Sequence, residues 1–224
     1  MSANPTQTVV SPLAAEVHLK RAYGFIHEVE SETESFRQSA MQYSAQVESD
    51  QPFLAGMVNS FRGGRQLAQR KGALVNDLGL AANEVEAGAR IDPQATIATS
   101  EGVFGAIQLR ALIQYMRGQL EMISGTDQSA MLFFNNSLQI MEFAGAHYML
   151  GLIYESQYRP VEALGHFEKC LQLDPDGELS ISALREATAM RNYEKRFRGS
   201  WGVVLFLLVF FFPAAIAYFA VKWK

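Results

Sequence analysis

The sequence predicts an all-α protein, a helical-hairpin array carried on one C-terminal transmembrane helix, and three observations predict it. Residues Trp201–Val221 read WGVVLFLLVFFFPAAIAYFAV, an uncharged apolar run. Residues 13–49 place Ala15, Leu19, Ala22, Ile26, Val29, Thr33, Phe36, Ala40, Tyr43 and Val47 at alternating spacings of four and three, a heptad seam. Residues 111–143 and 144–176, offset by 33, share Tyr115/Tyr148, Met116/Met149, Gly118/Gly151, Ala130/Ala163, Phe134/Phe167, Leu138/Leu171 and Gln139/Gln172, against about two identities expected by chance, so a structural unit is repeated.

Residues 1–12, polar and carrying Pro5 and Pro12, are expected to be a flexible N-terminus. Residues 13–99 form an N-terminal helical region. Its first helix ends at Pro52, and its seam packs either along the next helix of the same chain or in a dimeric coiled coil. Gly63-Gly64 predicts a break between helices Phe53–Arg62 and Arg65–Arg90. Arg62, Arg65, Arg70 and Lys71 pair with Glu28–Glu34, as antiparallel neighbouring helices allow, or meet an acidic partner. Ile91-Asp92-Pro93 closes the region, and Ser100 is expected to N-cap a helix running to Ile123. Repeats over 100–176 follow, then a capping and juxtamembrane helix over 177–199, a transmembrane helix over 200–222 and a tail of 223–224.

The apolar run is the right length for a bilayer. Its 21 residues span roughly 32 Å as a helix, against a hydrocarbon core of about 30 Å. Its 13 Val, Leu, Ile and Phe residues favour insertion by on the order of 4–8 kcal/mol. The first twenty residues hold no apolar signal segment, so the chain is expected to be tail-anchored. The juxtamembrane basic residues Arg191, Lys195, Arg196 and Arg198 assign the preceding domain to the cytoplasmic side, and the same collar can attract anionic lipid. Residues 1–190 hold 22 Asp and Glu against 13 Lys and Arg. An acidic body of this kind is unsuited to nucleic acid, whose phosphates need clustered cations.

Catalytic chemistry is not expected. Cys170 is the single cysteine, and His18, His27, His147 and His166 are scattered with no HExxH and no carboxylate spaced to complete a metal set. Phosphate-binding, dinucleotide-binding and nucleophile-elbow motifs are absent from the sequence. No enzyme, no cofactor and no metal are expected. The sequon Asn135-Asn136-Ser137 falls inside an expected helix.

The second copy of the repeat, AGAHYMLGLIYESQYRPVEALGHFEKCLQLDPD, carries Leu150-Gly151, Tyr154, Ala163, Phe167, Cys170 and Pro175. In these positions it resembles the tetratricopeptide repeat family. Gly151 and Ala163 are small where paired helices cross, Tyr154 and Phe167 fill the space between them, Cys170 is a small core residue, and Pro175 stops the second helix. The first copy is degenerate, with Arg117, Glu121 and Glu142 at positions where the family uses Leu, an aromatic and Pro. A third echo, Ala81 with Ile91-Asp92-Pro93, matches only a closing half. The resemblance implies a partner-binding groove lined by the first helix of each pair: Leu112, Tyr115, Gln119 and Met122 in one repeat, Gly145, Tyr148, Leu152 and Glu155 in the next. That groove suits an amphipathic helix of a protein partner, or is covered by the chain's own N-terminal helices. The expected function is a cytoplasm-facing adaptor or scaffold that recruits or assembles protein partners at a membrane. The rival expectation is a single-pass structural subunit of a multi-subunit membrane complex.

Overall fold

A computed structural model describes residues 12–48 and 53–191. In chain order the elements are α1 (Pro12–Glu48), α2 (Phe53–Ile91), β1 (Thr96–Thr99), β2 (Gly102–Gly105), α3 (Ala106–Ile123), α4 (Asp127–Ile140), α5 (Ala144–Ser156) and α6 (Pro160–Leu173). A further helix, α7, covers 178–191. The chain forms two compact units, Met1–Ala146 and His147–Lys224.

In the first unit the heptad seam is closed from within the same chain. Ala15, Leu19, Ala22, Ile26, Val29 and Phe36 of α1 are buried, and Leu74, Leu78, Ala81 and Val85 of α2 answer them at the same alternating spacing. The two helices run antiparallel, since His18 meets Glu84 near one end and Arg70 reaches Ser35 and Ser39 further along. Of the basic cluster, Arg70 lies 4.0 Å from Glu32. Lys71 turns instead to Glu121 of α3, at 2.7 Å.

The expected break at Gly63-Gly64 does not occur, and α2 runs unbroken from Phe53 to Ile91. The glycines serve a close approach: a Cβ on Gly63 would lie 2.7 Å from the ring of Tyr43, so only a bare backbone lets that ring lie across α2. The expected half-repeat around Ala81 is likewise absorbed into this 39-residue helix.

Between α2 and α3 the chain forms an antiparallel β-hairpin, where the sequence predicted helix from Ser100 onward. Ile97 pairs with Phe104 on the inner face. Ile97 is buried, and Phe104 lies 5.5 Å from the ring of Tyr23 on α1. Thr99 Oγ1 accepts the Glu101 amide and donates to the Gly102 carbonyl, which closes the turn. Helix α3 begins five residues later than expected, with Gly105 rather than Ser100 as its N-cap, where the Gln108 side chain accepts the Gly105 amide at 3.1 Å. Leu109, Ile113, Met116 and Leu120 of α3 then complete the core with α1 and α2.

In the second unit Leu150 and Ile153 of α5, Ala163, Phe167 and Cys170 of α6, and Ala183 and Ala187 of α7 are buried. Helix α6 ends at Leu173, just before Pro175, as the proline requires. Among the described residues no helix is long and apolar enough to cross a membrane. The helix expected over 200–222 lies outside the described residues.

Candidate interaction surface

The pair α3/α4 and the pair α5/α6 share the same pattern of three backbone hydrogen bonds at their turns. Ser124, Gly125 and Thr126 amides donate to Leu120, Met122 and Glu121 carbonyls; Gln157, Tyr158 and Arg159 amides donate to Ile153, Glu155 and Tyr154. Every one of these positions is displaced by 33. The residue that reverses the chain is left-handed in both turns, Gly125 at φ 73° and Tyr158 at φ 58°.

The crossings correspond as well. A Cβ on Gly118 would lie 2.6 Å from the Phe134 ring, and one on Gly151 would lie 2.5 Å from the Phe167 ring. Tyr115 then lies over Phe134 at 5.7 Å and 50°, and Tyr148 over Phe167 at 5.9 Å and 53°. The degenerate first copy therefore keeps the clasp of the second. Its odd residues are used locally: Glu121 accepts from Lys71 and from Thr126. Burial by itself would raise the Glu121 carboxyl, but the hydrogen bonds from Lys71 and Thr126 and the lysine charge outweigh it and hold the group below its ordinary value. Arg117 is half-buried, and its Nε has no hydrogen-bond partner among the described residues. Ser137 of the sequon is buried and donates to the Ala111 carbonyl at 2.8 Å, binding α4 to α3.

The residues expected to line a groove sit on the first helix of their respective pairs. In the first unit Leu112 and Tyr115 are half-buried against the core that α1 and α2 share with α3. The Tyr115 hydroxyl accepts from Gln119 at 2.9 Å, its ring meets the edge of Phe143, and Gly145 is buried close by. Met122 is half-buried. In the second unit Tyr148, Leu152 and Glu155 are half-buried. Burial, with Glu186 of α7 adding its negative charge, raises the Glu155 carboxyl.

Tyr154, expected between the helices, stacks on His166 at 5.3 Å and carries the Arg159 guanidinium over its ring. His147 and His166 share a hydrogen bond at 2.9 Å between their Nδ1 atoms. Cys170 is a buried thiol raised by its burial, a core residue as expected. Of the basic collar, Arg191 pairs with Glu168 at 2.5 Å, while Lys195, Arg196 and Arg198 lie outside the described residues.

Two features escaped the sequence reading. Ile181 and Leu184 stand exposed on one face of α7, where a terminal helix of a repeat stack usually turns a polar face outward. On α1, His27 and Glu30 come together with Glu101 of the hairpin turn, a potential metal-ligating group that spacing alone did not disclose.

With this geometry in place, comparison with known protein families identifies the repeat. Residues 144–176 match the Tetratricopeptide repeat family. No curated protein and no solved structure matches the chain. The matched stretch coincides with α5, α6 and the loop that follows, and it includes the Gly151–Phe167 clasp.

Proposed function

We propose that the protein is a tetratricopeptide-like adaptor that holds protein partners at the cytoplasmic face of a membrane, anchored by a helix over 200–222. The observation that carries the adaptor role is the family match over 144–176, because repeats of this kind are interaction modules that expose extended binding faces. The duplicated clasp of α3/α4 extends the same construction to a second pair of helices. Anchoring rests on the uncharged run Trp201–Val221, and sidedness on the basic residues that precede it. Each unit offers its own candidate contact residues on the first helix of its pair, Gln119 and Met122 in the first unit and Tyr148, Leu152 and Glu155 in the second. The partner is a protein segment presenting an amphipathic helix.

Glu155→Lys tests recognition by reversing a charge among the candidate contact residues, with far-UV circular dichroism measured in parallel to establish that the fold is retained. Proximity labelling from the full-length chain in cells should yield a set of neighbours that this variant loses while remaining in the membrane fraction. Deleting 200–224 should release the chain from that fraction. Unchanged labelling by Glu155→Lys refutes the contact surface. Protection of residues 1–198 from protease added on the cytosolic side refutes the anchoring and sidedness.

A second reading, a single-pass subunit of a membrane complex, is favoured by the exposed Ile181 and Leu184 on α7. Stoichiometric co-migration in one large detergent-extracted complex, lost on Ile181→Ser with Leu184→Ser, would select it.

A further inference from the structure

On the exposed side of α1, one turn apart, stand His27 and Glu30, and the turn of the β-hairpin brings Glu101 to them from 74 residues away. His27 Nδ1 lies 3.8 Å from Glu30 Oε2 and 4.0 Å from Glu101 Oε1. One donor atom from each residue falls within 4.8 Å of the others. A tetrahedral ion with ligands at about 2.0–2.1 Å would hold its donor atoms about 3.3–3.4 Å apart, so rotation of exposed side chains is enough to close the set.

The surroundings orient this group. Tyr23, one turn before His27, stacks its ring on the imidazole at 6.0 Å and 7°. Phe104 packs against the same ring from the hairpin. The imidazole is thus steadied by an outer residue that is itself packed on the hairpin, the kind of support by which metal sites fix their donors. Among the described residues neither Glu30 nor Glu101 has a lysine or arginine within ion-pair distance.

We propose that His27, Glu30 and Glu101 bind one divalent transition-metal ion of the zinc class, which fastens the hairpin turn to α1. The imidazole nitrogen favours such an ion over magnesium or calcium, which take all-oxygen sites. Three protein ligands leave a fourth position to water. The ion would neutralise two facing carboxylates and join segments far apart in sequence, so its binding stabilises the folded first unit by linkage.

The test is titration of the chelator-stripped full-length chain with Zn2+ by calorimetry, with Co2+ absorption as a second probe. One saturable ion per chain is expected, together with a rise in melting temperature. His27→Ala and Glu101→Gln should each weaken binding at least about tenfold. Glu101 lies in an exposed turn, so Glu101→Gln reports on binding even if His27→Ala disturbs α1. His18→Ala, at the separate His18–Glu84 pair, should leave affinity unchanged. The proposal is overturned if no saturable site is found, if affinity survives both His27→Ala and Glu101→Gln, if it falls instead with His18→Ala, or if Mg2+ raises the melting temperature as well as Zn2+ does.

Discussion

Placing a methyl group on a helical glycine should have opposite consequences at Gly151 and Gly165, fourteen residues apart in the same pair of helices. At Gly165, on α6, a Cβ meets nothing within 4 Å. Alanine there gains only the helix preference over glycine, about 0.8–1.0 kcal/mol. At Gly151 the same Cβ would lie 2.5, 2.7 and 2.9 Å from three carbons of Phe167, a ring with no exposed surface. Overpacking of that kind costs about 1–3 kcal/mol, and offset by the same helix gain it leaves a net loss of up to about 2 kcal/mol. Gly118→Ala should lose a similar amount, because its Cβ meets Phe134 at 2.6 Å. Chemical denaturation of the full-length chain in mild detergent, followed by far-UV circular dichroism, measures all three. Adding Phe167→Leu to Gly151→Ala makes room for the methyl, so the double variant should lose less than the sum of the singles. If Gly151→Ala melts with or above Gly165→Ala, or if the double variant shows no coupling, the close crossing at residue 151 is wrong, and with it the equivalence of the two helix pairs.

Tyr158→Asn should stabilise by about 0.5–1 kcal/mol, read by the same denaturation, because Tyr158 holds φ 58° with its side chain 93% exposed and asparagine tolerates that conformation better. Lys71→Met should destabilise by about 1–2 kcal/mol at pH 7, where it leaves the half-buried Glu121 carboxylate without its charged partner. Because Glu121 is lowered in the folded state, the stability it contributes is present above its unfolded value and lost as pH falls through the folded one. Parent and variant should therefore converge in acid. Glu186→Gln should stabilise by a few tenths of a kcal/mol at pH 7, screened by salt. Glu155 is raised in the folded state, so the penalty relieved is present only above its folded value, and the gain should vanish in acid.

The helical class, the seam of α1, the repeated unit of 33 residues and the end of α6 before Pro175 were legible in the sequence, because each depends on local periodicity or on a backbone restriction of one residue type. The seam at Ala15, Leu19, Ala22, Ile26, Val29 and Phe36 showed which face must be buried. It could not say what would bury it, since a heptad serves a neighbouring helix or a second chain equally well; α2 of the same chain decided that. Gly63-Gly64 shows the limit from the other side. Glycine marks either a chain reversal or a close approach, and only the ring of Tyr43 lying over that backbone distinguishes the two. The hairpin at 96–105 is four residues a strand, too short for its alternation to stand out, and it exists because Ile97 and Phe104 find α1 to pack on. His27, Glu30 and Glu101 were each visible as letters. Their meeting depends on a turn folding back against a helix 74 residues earlier, and contacts at that separation are set by tertiary packing.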